Sequence, residues 1–99
     1  MSAYALFQVE WTDPAARTEY TQGLSGMVEK YGGRFLVASS DLKVIEGKWD
    51  TRRLIIAEFP SMKQLTEWYE SEEYRPLLQL RLKNASCDAI VVEGTGPSH

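Results

Sequence analysis

The chain has 99 residues, of which 43% are hydrophobic and 25% are charged, a composition that suits one small globular domain and excludes collagen-like, disordered and disulfide-scaffold classes. Eleven basic and fourteen acidic residues give a net charge of −3, and the basic residues are scattered, so no nucleic acid is expected as a partner. The apolar runs are far shorter than the ~18 residues of a membrane helix, so no membrane contact is expected either.

The first third of the chain predicts a strand and a helix. Residues 3–11 are rich in aromatic and β-branched types, which favours a strand. Asp13-Pro14 then begins a helix, because aspartate caps the helix and proline has no N–H to leave unpaired, and Gly32-Gly33 ends it. Apolar side chains at helical spacing give this helix one face, formed by Ala16, Tyr20, Leu24, Met27 and Tyr31.

The middle of the chain predicts a hairpin. Residues 34–38 begin a second strand, residues 39–41 predict a bulge or break, and residues 42–46 continue that strand. After a turn, residues 53–59 form a third strand, which ends at Pro60 because proline cannot donate to a strand ladder.

The last third predicts two helices and a final strand. Ser61 and Gln64 form a capping box, which begins a helix with an apolar face. A turn precedes a short third helix that ends near Ala85, because Pro76 cannot lie inside a helix already formed. Residues 87–93 form the last strand. We expect one domain over residues 1–94 and a flexible tail over residues 95–99.

This β-α-β-β-α-β order predicts an α+β fold. Right-handed crossovers place both helices on one face of one antiparallel sheet, the ferredoxin-like arrangement. A doubly wound parallel sheet is the alternative, and the hairpin disfavours it. The strands are apolar on both faces, for example Phe7 and Val9 on one side and Tyr4 and Leu6 on the other. One helix layer covers one face, so we expect a second copy to cover the other in a two-fold dimer. Alternatively, polar interruptions such as Glu58 make that patch small.

A lone cysteine and a terminal histidine restrict the chemistry. Cys87 cannot form an internal disulfide, and with no basic segment opening the chain we expect a reducing cytoplasm. We expect Cys87 to pack as a small apolar residue, because no internal histidine activates it. His99 lies in the predicted tail, so no metal site and no cofactor is expected.

A series of short motifs runs from residue 31 to residue 94: Tyr31-Gly32-Gly33-Arg34, Glu46-Gly47-x-Trp49, Arg53-Leu54, Glu58-Phe59-Pro60-Ser61, Trp68-Tyr69-x-Ser71-x-x-Tyr74, Leu80-Arg81 and Glu93-Gly94. In this order they resemble the uncharacterised DUF1330 domains of the dimeric α+β barrel group. The resemblance implies a ferredoxin-like protomer paired into a barrel, and it implies no established reaction. Related barrel families include cofactor-independent monooxygenases, muconolactone isomerases, haem-degrading enzymes and stress-response proteins. Ala38-Ser39-Ser40 stands where the family has Arg-Gly-Gly, which would change the ligand class if that arginine binds an anion.

Four charged residues are candidates for a site. Glu58 lies in an apolar strand and is either a general acid/base or, as we favour, the partner of an arginine in an ion pair. Arg34, Arg53 and Arg81 either converge on a carboxylate ligand or tie strand ends to a helix or to the second subunit.

Aromatic residues complete the candidate set. Trp49, Tyr69 and Tyr74, with Ser71, are predicted to line a pocket for a flat apolar ligand. Tyr69 is a predicted catalytic residue together with Glu58 and would orient the substrate, whereas Trp68 is expected to be core packing.

The sequence therefore predicts a cytoplasmic homodimer that binds a small anionic or aromatic molecule between sheet and helices. If it is an enzyme, we expect cofactor-independent proton transfer of the isomerase or monooxygenase kind. The alternative is a non-catalytic interaction or stress-associated module. An open cavity of about a few hundred Å3 with unpaired polar groups favours binding, and a filled interior with paired charges favours the module.

Overall fold

The computed structural model describes residues 1–96, so His99 and most of the predicted tail lie outside the described residues. The strands are β1 (Ala3–Trp11), β2 (Arg34–Ser39), β3 (Arg53–Phe59) and β4 (Ala85–Glu93), and the helices are α1 (Pro14–Leu24), α2 (Met27–Lys30), α3 (Met62–Tyr69) and α4 (Arg75–Asn84). All neighbouring strands are antiparallel, in the order β2-β3-β1-β4. This confirms the ferredoxin-like α+β fold. Within the described residues, no helix is long and apolar enough to span a membrane.

Two predicted helix starts are confirmed by their caps. The Asp13 carboxylate accepts a hydrogen bond of 3.0 Å from the backbone N–H of Ala15 at the start of α1. The Ser61 hydroxyl accepts one of 3.2 Å from the backbone N–H of Gln64 at the start of α3. Each side chain satisfies a backbone donor that has no partner within the first helical turn.

The predicted helix that runs unbroken to Tyr31 is wrong. Gly26 adopts φ 79°, a left-handed conformation that interrupts the helical path, and α2 begins after it as a single turn. Glycine takes this conformation without the steric cost that a Cβ would impose.

The predicted strand over residues 42–46 is also wrong, because residues 40–52 form no strand. The last pair between β2 and β3 joins Ser39 to Leu54, and β3 begins only one residue before Leu54. Residues beyond Ser39 therefore have no neighbouring strand to supply backbone hydrogen bonds. The irregularity in β2 lies between Phe35 and Val37 rather than at residues 39–41. Strand β4 begins at Ala85, two residues earlier than predicted, because Ala85 pairs with Trp11.

The core lies between the helices and one face of the sheet. Ala5, Phe7 and Phe59 are buried on that face, and Trp68 of α3 is 1% exposed. The Trp68 indole stacks on the Phe59 ring at 5.4 Å, so its predicted role as core packing is confirmed.

The opposite face of the sheet, here called the outer face, carries no helix among the residues that the structure describes. The register aligns Leu6 with Ile56 on one side and with Ile90 on the other. Ile90 and Val92 are 61% and 46% exposed, so the second apolar face that the sequence predicted is present.

Candidate ligand-binding site

A cavity of about 420 Å3 lies between the sheet and the helices. Alternate residues of β1 point toward the helices, which places Phe7, Val9 and Trp11 on one wall. Residues three or four apart share a helix face, which places Tyr20 and Leu24 of α1 on another. The walls are therefore mainly apolar and aromatic.

Arg81 is the buried charge of this cavity. It lies in the last turn of α4, lines the cavity and is 4% exposed. Its guanidinium carbon lies 5.2 Å from the centre of the Phe7 ring, a cation–π contact. Its Nε and Nη2 atoms have no hydrogen-bond partner among the described residues. Burial acts to lower the pKa of Arg81, but Tyr74 and Tyr20 outweigh it and hold this pKa above its ordinary value. Arg81 therefore stays charged.

The groups around this cation are neutral. The hydroxyl oxygens of Tyr20 and Tyr74 lie 2.7 Å apart in a hydrogen bond, and burial raises the pKa of both phenols. Burial also raises the pKa of the nearby Cys87 thiol. None of the three supplies a negative charge near neutral pH, so Arg81 lacks a compensating anion among them.

The cavity carries further charges at less buried positions. Arg53 donates to the carbonyl of Ala38 at 3.1 Å and to the hydroxyl of Ser40 at 3.4 Å. Arg17 and Glu29 also line the cavity and are exposed. Three arginines and one glutamate thus contribute to the lining within the described residues, a balance that favours an anionic ligand.

Sequence reasoning missed Arg17 and Tyr20 as cavity residues. They lie three residues apart on α1, and Leu24 follows Tyr20 by four, so all three share a helix face. The sequence analysis placed Tyr20 and Leu24 on one apolar helix face and did not consider Arg17.

Glu58 and Arg34 lie away from the cavity, on the outer face. Arg34 Nε and Nη2 each lie 2.9 Å from Glu58 Oε1, and the Tyr4 hydroxyl donates to Glu58 Oε2 at 3.0 Å. The ion pair favoured from the sequence is therefore confirmed, with Arg34 as the partner. The Arg34 guanidinium and then the Tyr4 hydroxyl lower the pKa of Glu58, which holds it as a carboxylate.

The remaining predicted site residues are not brought together with Glu58. Ser71 donates to the Trp68 carbonyl at 2.8 Å and accepts from the Tyr74 N–H at 3.2 Å, so it shapes the turn before α4. Tyr69 packs at 5.9 Å from the Trp68 ring on the helix side of the sheet. Trp49 is 64% exposed within residues 40–52 and does not line the cavity.

In the part of the chain that the structure describes, no group of three or more histidine, cysteine, aspartate or glutamate side chains is placed to hold a metal ion.

The sequence of residues 2–95 matches the family described as a domain of unknown function, DUF1330. The chain belongs to the DUF1330 family. This match spans nearly the whole chain and confirms the resemblance that the motifs indicated. No curated protein matches this DUF1330 chain.

Solved structures share the fold of this DUF1330 member. A protein of unknown function from Rhodopseudomonas palustris is 20% identical, with 97% of this chain and 84% of that chain covered and a TM-score of 0.72. A dimeric ferredoxin-like protein of unknown function from Jannaschia sp. CCS1 is 12% identical, with 95% and 100% covered and a TM-score of 0.73. SnoaB, a cofactor-independent oxygenase from Streptomyces nogalater, is 11% identical, with 98% and 94% covered and a TM-score of 0.62. At these identities the likeness establishes the fold alone.

Proposed function

We propose that this DUF1330 member binds a small organic anion in the cavity between its sheet and its helices. One observation carries the proposal: a charged Arg81, 4% exposed and without an anionic partner within residues 1–96, lines an open space of about 420 Å3. A buried cation without a counter-charge is costly, and a bound anion removes that cost.

The size and lining of the cavity support a small-molecule site. Binding pockets for small ligands typically measure about 300–1,000 Å3 and combine apolar walls with a few polar groups. Here the Phe7 and Trp11 rings and the Ile55 side chain supply apolar area, and Arg81 supplies a buried polar group.

The cavity supports binding better than it supports catalysis. Glu58 faces the outer side of the sheet, so the sheet separates it from a ligand in the cavity and from Tyr69. Tyr20 and Tyr74 have raised pKa values and hold their protons near neutral pH. Catalytic roles for Glu58 and Tyr69 remain predictions without support from the cavity, and binding in the cytoplasm remains our expectation.

We also propose that the outer face pairs two protomers. Ile90 and Val92 are exposed there, and one structural neighbour, from Jannaschia sp. CCS1, is described as dimeric. The Arg34–Glu58 pair lies on the same face, where its paired charges suit an interface between copies better than a ligand site.

A ligand screen tests whether the cavity binds an anion at Arg81. The wild-type protein and two variants, Arg81→Met and Arg75→Met, are screened by thermal shift against small carboxylates, phosphates, sulfonates and neutral aromatics. Both arginines lie on α4, but Arg75 points to solvent and pairs with Glu72. We expect anions to raise the Tm of the wild type and of Arg75→Met, and not of Arg81→Met. Anions that stabilise all three proteins equally would overturn the proposal, as would a screen without a single anionic hit.

Sedimentation tests the pairing. We expect a particle of twice 11.3 kDa at micromolar concentration, and one of 11.3 kDa for Ile90→Glu. Leu82→Glu is the matched control, because Leu82 is equally exposed, at 59%, on α4. A wild-type protein that sediments as a monomer would refute the pairing.

A further inference from the structure

This inference rests on the proposed pairing of the outer faces and names a second surface in that pair. We infer that residues 44–49, here called the arm, pack against the second copy of the chain, and that Trp49 is the main contact.

The arm exposes large apolar side chains. Val44, Ile45 and Trp49 are 42%, 88% and 64% exposed, and none of them lines the cavity. Single exposed apolar side chains are common on protein surfaces, but three large ones within six residues form a patch of the kind that a partner covers. Tryptophan is enriched among the residues that contribute most to interfaces, because its rigid ring buries a large area at a low cost in side-chain entropy.

The residue that follows the arm is fixed on the outer face. Gln8 lies two residues after Leu6 on β1, so both side chains point to this face of the sheet. The side-chain amide of Gln8 donates a hydrogen bond to the Asp50 carbonyl. Because Asp50 directly follows Trp49, the arm ends at the outer face, beside the surface that we propose to pair.

Arg52 strengthens this attachment. Its guanidinium forms ion pairs with the carboxylates of Asp50 and Asp88, and it donates to the Ser86 hydroxyl at 2.8 Å. Ser86 and Asp88 belong to β4, which lies on the far side of β1 from β3. Arg52 therefore ties the end of the arm to the outer face at two points. A loop that is already held in place loses less conformational entropy when a partner binds it.

The charges beside the arm favour a second copy as the partner. In a two-fold pair the same surface lies on both sides of the interface, so it must be complementary to itself. The arm carries Lys48, and the outer face carries the exposed Glu10, whose strand partner Ser86 is bound by Arg52. Neither Lys48 nor Glu10 forms an ion pair within residues 1–96. A surface with one free charge of each sign can pair with its own copy.

Sedimentation over a dilution series tests the contribution of the arm. The wild type is compared with Trp49→Ala, Ile45→Ser and the control Leu82→Ala, which shortens a side chain of similar exposure, 59%, on α4. We expect the Kd of the dimer to rise at least about tenfold in Trp49→Ala, and to rise less in Ile45→Ser. We expect Leu82→Ala to change the Kd by less than about twofold.

A second measurement observes Trp49 directly. The three tryptophans are labelled as 5-fluorotryptophan, and the 19F signal that is missing from Trp49→Phe belongs to Trp49. We expect this signal to shift on exchange of H2O for D2O in the Ile90→Glu monomer and to shift much less in the wild-type dimer, because the partner shields the ring. Trp11 and Trp68 line the cavity on the other side of the sheet, so their signals serve as internal controls.

The outcomes separate the arm from the pairing. A dimer with the same Kd in Trp49→Ala as in the wild type would overturn the role of the arm and leave the pairing of the outer faces standing. A Trp49 signal with equal solvent sensitivity in dimer and monomer would do the same. A wild-type protein that sediments as a monomer would overturn both.

Discussion

Tyr20 and Tyr74 share a hydrogen bond of 2.7 Å between their hydroxyl oxygens, although 54 residues separate them in the chain. Tyr20 lies on α1, and Tyr74 immediately precedes α4, so the bond joins these two helices beside the cavity. Their rings also meet edge to face at 6.3 Å. Tyr20 and Arg81 both line the cavity, so the bond joins α1 to the helix that carries Arg81.

Removing the Tyr74 hydroxyl should destabilise the protein. We expect Tyr74→Phe to lower the free energy of unfolding by about 1–2 kcal/mol, because the Tyr20 hydroxyl loses its partner in a partly buried place. Tyr31→Phe is the control, since its hydroxyl bonds the exposed Glu73, and we expect a change within about 0.5 kcal/mol. Urea denaturation measures both. Equal losses of unfolding free energy in the two variants would show that the Tyr20–Tyr74 hydrogen bond stabilises the protein no more than the exposed Tyr31–Glu73 bond does.

A methyl group at Gly33 should disturb the core. A Cβ there would lie 2.7 Å from a ring carbon of Phe59 and 2.8 Å from a methyl carbon of Val28, both fully buried. We expect Gly33→Ala to cost about 1–3 kcal/mol in unfolding free energy and to shift the NMR signals of both neighbours. Gly26→Ala, which meets open space but has φ 79°, should cost about 1 kcal/mol without those shifts. An unchanged unfolding free energy in Gly33→Ala would contradict the close packing of Gly33 against Phe59 and Val28.

Lowering the pH should reduce the stability of the folded protein, because Glu58 becomes protonated and its ion pair with Arg34 is lost. Arg34 and then Tyr4 lower the pKa of this carboxyl in the folded protein, so its contribution to stability is complete above its unfolded pKa of about 4.3 and is lost as the pH falls through the folded value. We expect Glu58→Gln to destabilise the protein more at pH 7 than at pH 4, measured by urea denaturation at each pH. The exposed Glu10→Gln serves as control. A destabilisation independent of pH would contradict the ion pair.

Cys87 should react slowly with alkylating agents. Burial raises the pKa of its thiol, and only the thiolate attacks iodoacetamide. We expect alkylation of the native protein at pH 7.5 to be slower than that of the urea-unfolded chain, as followed by mass spectrometry. Native and unfolded chains that react at the same rate would show that the thiol is not shielded.

Trp49 should not take part in ligand binding. Its side chain is 64% exposed and lies outside the cavity, contrary to the role that the sequence suggested. We expect Trp49→Ala to leave unchanged the affinity for an anion that raises the wild-type Tm in the ligand screen, whereas Phe7→Ala, which removes a cavity wall, should weaken it. Calorimetry on both variants checks this contrast, and a loss of affinity in Trp49→Ala would place that residue at the site.

Local signals in the sequence predicted most of the secondary structure. Asp13-Pro14 and Ser61 began their helices as expected, and residues 3–11 and 53–59 form strands with the predicted bounds. Capping and alternation depend on neighbours close in the chain, so they can be read without the fold. The strand predicted over residues 42–46 does not form, because a strand also needs a neighbouring strand to pair with. No local sequence pattern shows how far the pairing between β2 and β3 extends.

The sequence alone determined the order of the elements, the ferredoxin-like α+β fold and the presence of two apolar sheet faces, because periodicity and capping are properties of neighbouring residues. Only the tertiary structure decided which face the helices cover. Alternation placed Glu58 with Leu54 and Ile56, but both faces are apolar, so it could not show that Glu58 lies opposite the cavity. The alternation pattern also could not predict that Phe7, Tyr20 and Arg81 line one cavity. Their proximity depends on packing between elements that are distant in the chain.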